Sequence, residues 1–147
     1  MTPIAPAMTV AQMDALLRYL PVFAQPGYAP WGPSQREDIF NALPYNGTVR
    51  SFRETYMEVC QEIHPYHRLP EDGPDVPADV EIFAHFNTIV AMQTASANQI
   101  RRLLMLCTRG EHFGFASTGD LIASGVMLAA LLRLQELRAV LVREAAT

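Results

Sequence analysis

Eight residues, Cys60 to His67 (CQEIHPYH), bring together a thiol, two imidazoles and a carboxylate. On a helix Cys60 and His64 stand four apart and share a face. Pro65 takes His64 out of helical geometry and ends the helix there. His67 follows in the turn and could fold back toward both. Cys60, His64 and His67 would supply three ligands of a tetrahedral zinc, with His85 or Cys107 as the fourth. Against this, no paired C-x-x-C or H-x-x-x-H accompanies them, and a cysteine flanking a buried stripe is equally a small core hydrophobe. No cofactor is therefore expected, and zinc at these three residues stands as the alternative.

The same residues raise a second chemistry. Cys60 with His64, or Cys107 with His112, has the make-up of a thiol nucleophile and its base, which needs exposure and a lowered thiol pKa. Cys107 follows the apolar run LLML, which points to the core. In RGEHF, Arg109 to Phe113, Arg109, Glu111 and His112 gather at an expected turn between two helices, where His112 would titrate near neutral pH. Arg109 also suits a helix C-terminus, where a cation meets the negative end of the helix dipole. Arg101 and Arg102 lie two turns earlier on the same helix. With Arg109 and His112 they form a polar contact set for a partner. A second set is aromatic: PVFAQPGYAPWGP holds Tyr28 and the single Trp31 on a Pro-rich loop, a usual setting for contact anchors. The same rings would serve equally as a lid over the core.

Composition removes other classes. All eleven basic residues are arginine, so a lysine Schiff base and a phosphate-loop lysine are excluded. No G-x-S-x-G, H-E-x-x-H or glycine-rich phosphate loop occurs, and no complete catalytic set is present. The net charge of −4 disfavours a nucleic-acid or membrane surface. Charge is uneven: residues 1–91 hold 5 Arg and 11 acids, residues 92–147 hold 6 Arg and 4 acids. The two parts are expected to attract each other. Two cysteines make no disulfide framework and fit a reducing compartment. No signal peptide and no membrane span are read, so a soluble cytoplasmic protein is expected.

The elements that would position these groups are helices. TVAQ (Thr9–Gln12), SQRE (Ser34–Glu37) and SANQ (Ser96–Gln99) have the form of capping boxes, and STGD (Ser117–Asp120) is a shorter version. Helices are expected over Val10–Leu20, Gln35–Leu43, Val49–His64, Ala78–Met92, Ala97–Thr108 and Gly119–Glu144. Pro-rich loops are expected over 21–33 and 65–79, and a turn at Asn46-Gly47. Val49, Phe52, Tyr56, Val59 and Ile63 form one buried stripe, and Val80, Phe83, Asn87 and Val90 another. Val126 to Leu134 is apolar nearly all round and must be covered on several sides. The expected fold is a single all-α domain over 1–147, about six helices around a central C-terminal helix.

The segment Asn98–Leu137 resembles a small bacterial family catalogued as a domain of unknown function. The family shows a helix, an Arg-x-x-Arg-Phe turn, then a helix with an internal glycine and a Leu-x-Arg-Leu-x-x-Leu ending. Here the turn is RGEHF, the glycine Gly125 and the ending LLRLQEL, Leu131–Leu137. His112 stands where the family has Arg, and Ala116 where it often has Gly. The resemblance implies a helical fold and a bacterial or phage origin, and no activity. Together these readings give a non-enzymatic protein–protein interaction module. It would self-associate through its last helix as a homo-oligomer and act as an inhibitor or regulator of a host complex. A metal-dependent or cysteine enzyme at Cys60, His64 and His67 is one alternative. A nucleic-acid-binding accessory protein using Arg101, Arg102, Arg109 and His112 is the other.

Overall fold

The computed structural model describes residues 4–32, 45–61, 67–74, 78–113 and 117–146, without the side chains at 79, 80, 82, 86 and 110–113. Among the described residues the α-helices are α1 (Val10–Leu17), α2 (Leu20–Phe23), α3 (Gly47–Val59), α4 (Asp79–Phe86), α5 (Ile89–Met92), α6 (Ala97–Phe113), α7 (Thr118–Ser124) and α8 (Val126–Ala145). A 3₁₀ turn covers Pro70–Asp72, and two isolated bridges, Ile4 with Arg68 and Trp31 with Tyr45, are the β-type pairings. The fold is all-α, as the periodicity requires. The helix expected over Gln35–Leu43, with its Ser34 cap, lies outside the described residues.

Helix starts follow local chemistry. Thr9 Oγ1 accepts the Gln12 N–H at 3.1 Å while Gln12 Oε1 accepts the Thr9 N–H at 2.9 Å. Ser96 and Gln99 repeat the exchange at 3.1 and 2.8 Å. Ser117 accepts the Asp120 N–H at 2.9 Å. Each such cap contributes about 1 kcal/mol by satisfying an amide the helix cannot. Asn46 departs from the expected turn. Its Oδ1 accepts the Val49 N–H at 2.9 Å, so Asn46 caps α3, which starts at Gly47. A side chain able to close a turn is equally able to cap a helix.

Three expected helices are broken. The first divides at Arg18–Tyr19, and Pro21 sits in the first turn of α2, where its missing N–H is harmless, instead of ending a helix. The fourth divides at Asn87–Thr88. Thr88 is extended (φ −123°, ψ 154°) and its hydroxyl accepts the Ala91 N–H, restarting the chain as α5. The last divides at Gly125, whose φ of +88° is left-handed backbone that glycine alone adopts without strain. Conversely, α6 continues past Thr108 to Phe113, so RGEHF is the last part of a helix and not an interhelix turn. α3 ends at Val59 with Cys60 as its C-cap, short of His64.

α8 packs against α1, α2, α5, α6 and α7, while α3 packs on α1 and α6, and α4 on α5 and α6. Val126, Met127, Ala130, Leu131 and Leu134 of α8 are buried, so the expected C-terminal core helix is present. α6 shares the centre: Ile100 to Leu104 are buried in an unbroken run, which only coverage from several sides allows. An edge-to-face aromatic group joins the α2 and α3 ends of the core, Phe52 meeting Phe23 at 5.0 Å and Tyr19 at 5.1 Å. Tyr56 OH pairs with Thr118 Oγ1 at 2.7 Å, and Tyr45 OH accepts the Gly119 N–H at 3.1 Å, tying α3 and the Tyr45 segment to the start of α7.

Candidate functional site

The thiols come first because their chemistry is most demanding. Cys60 is 7% exposed, and its Sγ donates to the Arg101 carbonyl at 3.4 Å. Burial pushes the thiol up to about 12, against a partial lowering by the Arg101 charge. A nucleophilic thiol needs the opposite shift and an open approach. Cys107 is fully buried as well, in keeping with its apolar sequence context. No group of three His, Cys, Asp or Glu residues among those described could hold a metal ion. Of the proposed ligands, Cys60 points its Sγ hydrogen at α6 and His67 is half-buried, while His64 lies outside the described residues.

Arg101 and Arg102 were expected on a contact surface. Both are 0% exposed. The reason is a strap that sequence periodicity does not reveal: residues 4–8 and the 67–73 loop lie over α6. Ala5 N–H donates to the Arg68 carbonyl at 2.8 Å, and Ala5 and Leu69 form a small apolar cluster with Met105. The two guanidiniums hold this strap from below. Arg101 Nη2 donates to the Pro6 carbonyl and, at 2.5 Å, to Asn98 Oδ1. Arg102 Nη2 donates to the His67 carbonyl, and its Nη1 lies 3.6 Å from Asp72 Oδ2. Asp72 also accepts the Leu69 N–H at 2.8 Å, so the carboxylate that balances Arg102 shapes the loop. Burying a cation is costly unless it is paired and hydrogen-bonded, and for Arg102 Asp72 supplies the opposite charge.

Arg109 is half-buried, and the side chain of His112 is outside the described set. Tyr28 is half-buried; its hydroxyl pairs with the Asn46 side chain at 3.0–3.2 Å, and Asn46 Nδ2 also reaches the Ala29 carbonyl at 3.0 Å. Tyr28 therefore closes the loop onto the start of α3. Trp31 is 45% exposed and stacks on Tyr45 at 5.7 Å, the pair resting on Gly119, where a Cβ would stand 2.6 Å from either ring. Of the two expected anchors, Tyr28 lies down on the fold and Trp31 presents one side.

The residues that do stand out are apolar, and sequence patterning placed one of them inside. Val90 is 74% exposed and Ile89 and Leu132 are 45% exposed, on the neighbouring helices α5 and α8. The restart at Thr88 rephases the chain, so Met92, fully buried, takes the inward place that uniform helical spacing gave to Val90. Ile89 reaches the α7–α8 junction: a Cβ on Gly125 would lie 3.2 Å from its Cδ1. The signal available in sequence was Thr88 ahead of four apolar residues, a cap followed by a short helix. No protein-family model, curated protein or solved structure matches the chain. No helix among the described residues is long and apolar enough to cross a membrane.

Proposed function

We propose that the protein is a non-enzymatic docking module acting through protein–protein contact, and that its contact face is formed by α5 and the outward side of α8. The observation that carries this reading is the exposure of Ile89, Val90 and Leu132 on adjacent helices. Large apolar side chains exposed on two helices that pack together are the make-up of an interaction site. Leu132 is flanked on α8 by Arg133 and Glu136, an ion pair at 3.0 Å, so a second copy related by a two-fold axis meets balanced charge there. A homodimer is the first assembly it favours, weak and concentration-dependent because the face is small. The buried, raised Cys60 thiol argues against a cysteine enzyme, and the enclosed Arg101 and Arg102 argue against nucleic-acid binding.

Sedimentation velocity of the full chain over a wide concentration range tests this. The expected result is a reversible monomer–dimer equilibrium that the double substitution Val90→Glu, Leu132→Glu abolishes while the melting temperature is kept. A strict monomer at every concentration, or a dimer indifferent to the substitutions, overturns it.

A further inference from the structure

We infer that a cleft between residues 7–13, the start of α6 and the C-terminal part of α8 binds a small neutral amphiphile whose head is a carboxamide. The cleft is open to solvent on one side and has a volume of about 260 Å³. A dry cavity of roughly 150 Å³ holds benzene, so this volume suits a ligand of about ten non-hydrogen atoms. Its walls are apolar: Met8 and Met13, nearly fully buried, face Val140 and Leu141 of α8. Such walls with few polar groups are the usual make-up of a small-molecule site.

The polar groups choose the head. Asn98 lines the cleft and is 8% exposed. Its Oδ1 is taken by Arg101 Nη2, which fixes the amide and leaves its NH2 with no acceptor among the described residues. That NH2 is reachable from solvent and free to donate to an incoming oxygen. Glu71, also lining the cleft, accepts from Ser96 Oγ through Oε1 at 2.7 Å, and its Oε2 has no partner among the described residues. Glu71 is an exposed residue, and a head that accepts from Asn98 while donating toward Glu71 fits this pair. A carboxamide does both. A carboxylate meets Glu71 as a like charge, and an ammonium, having no acceptor, leaves the Asn98 NH2 unpaired. This site is independent of the α5–α8 face, and neither reading rests on the other.

The test is a titration of full-length protein labelled at methionine methyls, followed by NMR, with octanamide, octanoate and octylamine as probes of matched length. Octanamide is expected to shift the Met8 and Met13 methyls saturably, with octanoate and octylamine each weaker by about tenfold or more. Glu71→Gln, which keeps an acceptor for Ser96, should narrow the gap between octanamide and octanoate. Val140→Trp, at a position 40% exposed in the wall, should block the cleft. Absence of saturable shifts with octanamide, equal affinity for the three probes, or binding undiminished in folded Val140→Trp overturns the proposal. The ranking of probes in the unsubstituted protein decides it even where a variant does not fold.

Discussion

Two regions of this molecule reverse what their residue types suggest. Cys60, Arg101 and Arg102, the side chains with most capacity for chemistry, are enclosed, the two arginines beneath the strap at residues 4–8 and 67–73, and each donates to a backbone carbonyl. On α5 and the outer side of α8 lie Ile89, Val90 and Leu132, residue types that normally fill a core, and they face outward. Reactive side chains here hold the fold together, while inert ones form the surface available to a partner. Burial, more than residue type, decides which role a side chain takes.

The comparison breaks most forcefully at Arg101. Arg101→Ala removes the donor to Pro6 and Asn98 and leaves the buried Asn98 oxygen unpaired, with an expected loss of about 3 kcal/mol in urea unfolding. A loss within experimental error would mean that the strap does not depend on this cation. Next is Cys60. Its thiol sits at about 12 in the fold against an ordinary 9.0, so the folded state favours the neutral form. That contribution is complete below pH 9 and declines as pH rises toward 12. Between pH 8 and 11 the unsubstituted protein should lose about 2–3 kcal/mol more than Cys60→Ala, measured by unfolding at each pH. Parallel pH profiles would place Cys60 in contact with water.

Gly125→Ala tests the support of the apolar face. It puts a Cβ on left-handed backbone and against Ile89, and about 1–2 kcal/mol should be lost. The smallest effect is expected at the face itself. Val90→Glu and Leu132→Glu should each change monomer stability by about 0.5 kcal/mol or less, as exposed substitutions do. A large loss at either would show that the residue belongs to the core, and the contrast between the two regions would close.

Much of the architecture was legible because helix starts are written locally. Thr9, Ser96 and Ser117 cap where their spacing indicated, and the apolar stretch from Val126 to Leu134 is buried at five of its positions. Interruptions were less legible. Thr88 and Gly125 each sit inside an apolar pattern that runs on in helical phase, and a periodicity argument passes over a single extended or left-handed residue. The candidate site was least legible of all. Arg101 and Arg102 read as surface because the strap that covers them comes from about 95 and 35 residues earlier in the chain, a pairing that local pattern does not encode. Cys60 was legible as a core hydrophobe from its place beside the α3 stripe, and Val90 was not legible as exposed because its phase was counted through Thr88.

The most direct measurement is carbene footprinting of the intact protein at low and high concentration, read residue by residue. If α5 and α8 join two copies, labelling of Ile89, Val90 and Leu132 falls as concentration rises, while Trp31, Val140 and Val142, also exposed, keep theirs. Unchanged labelling at Val90 and Leu132, or protection that appears at Trp31 or Val140 instead, would contradict the account.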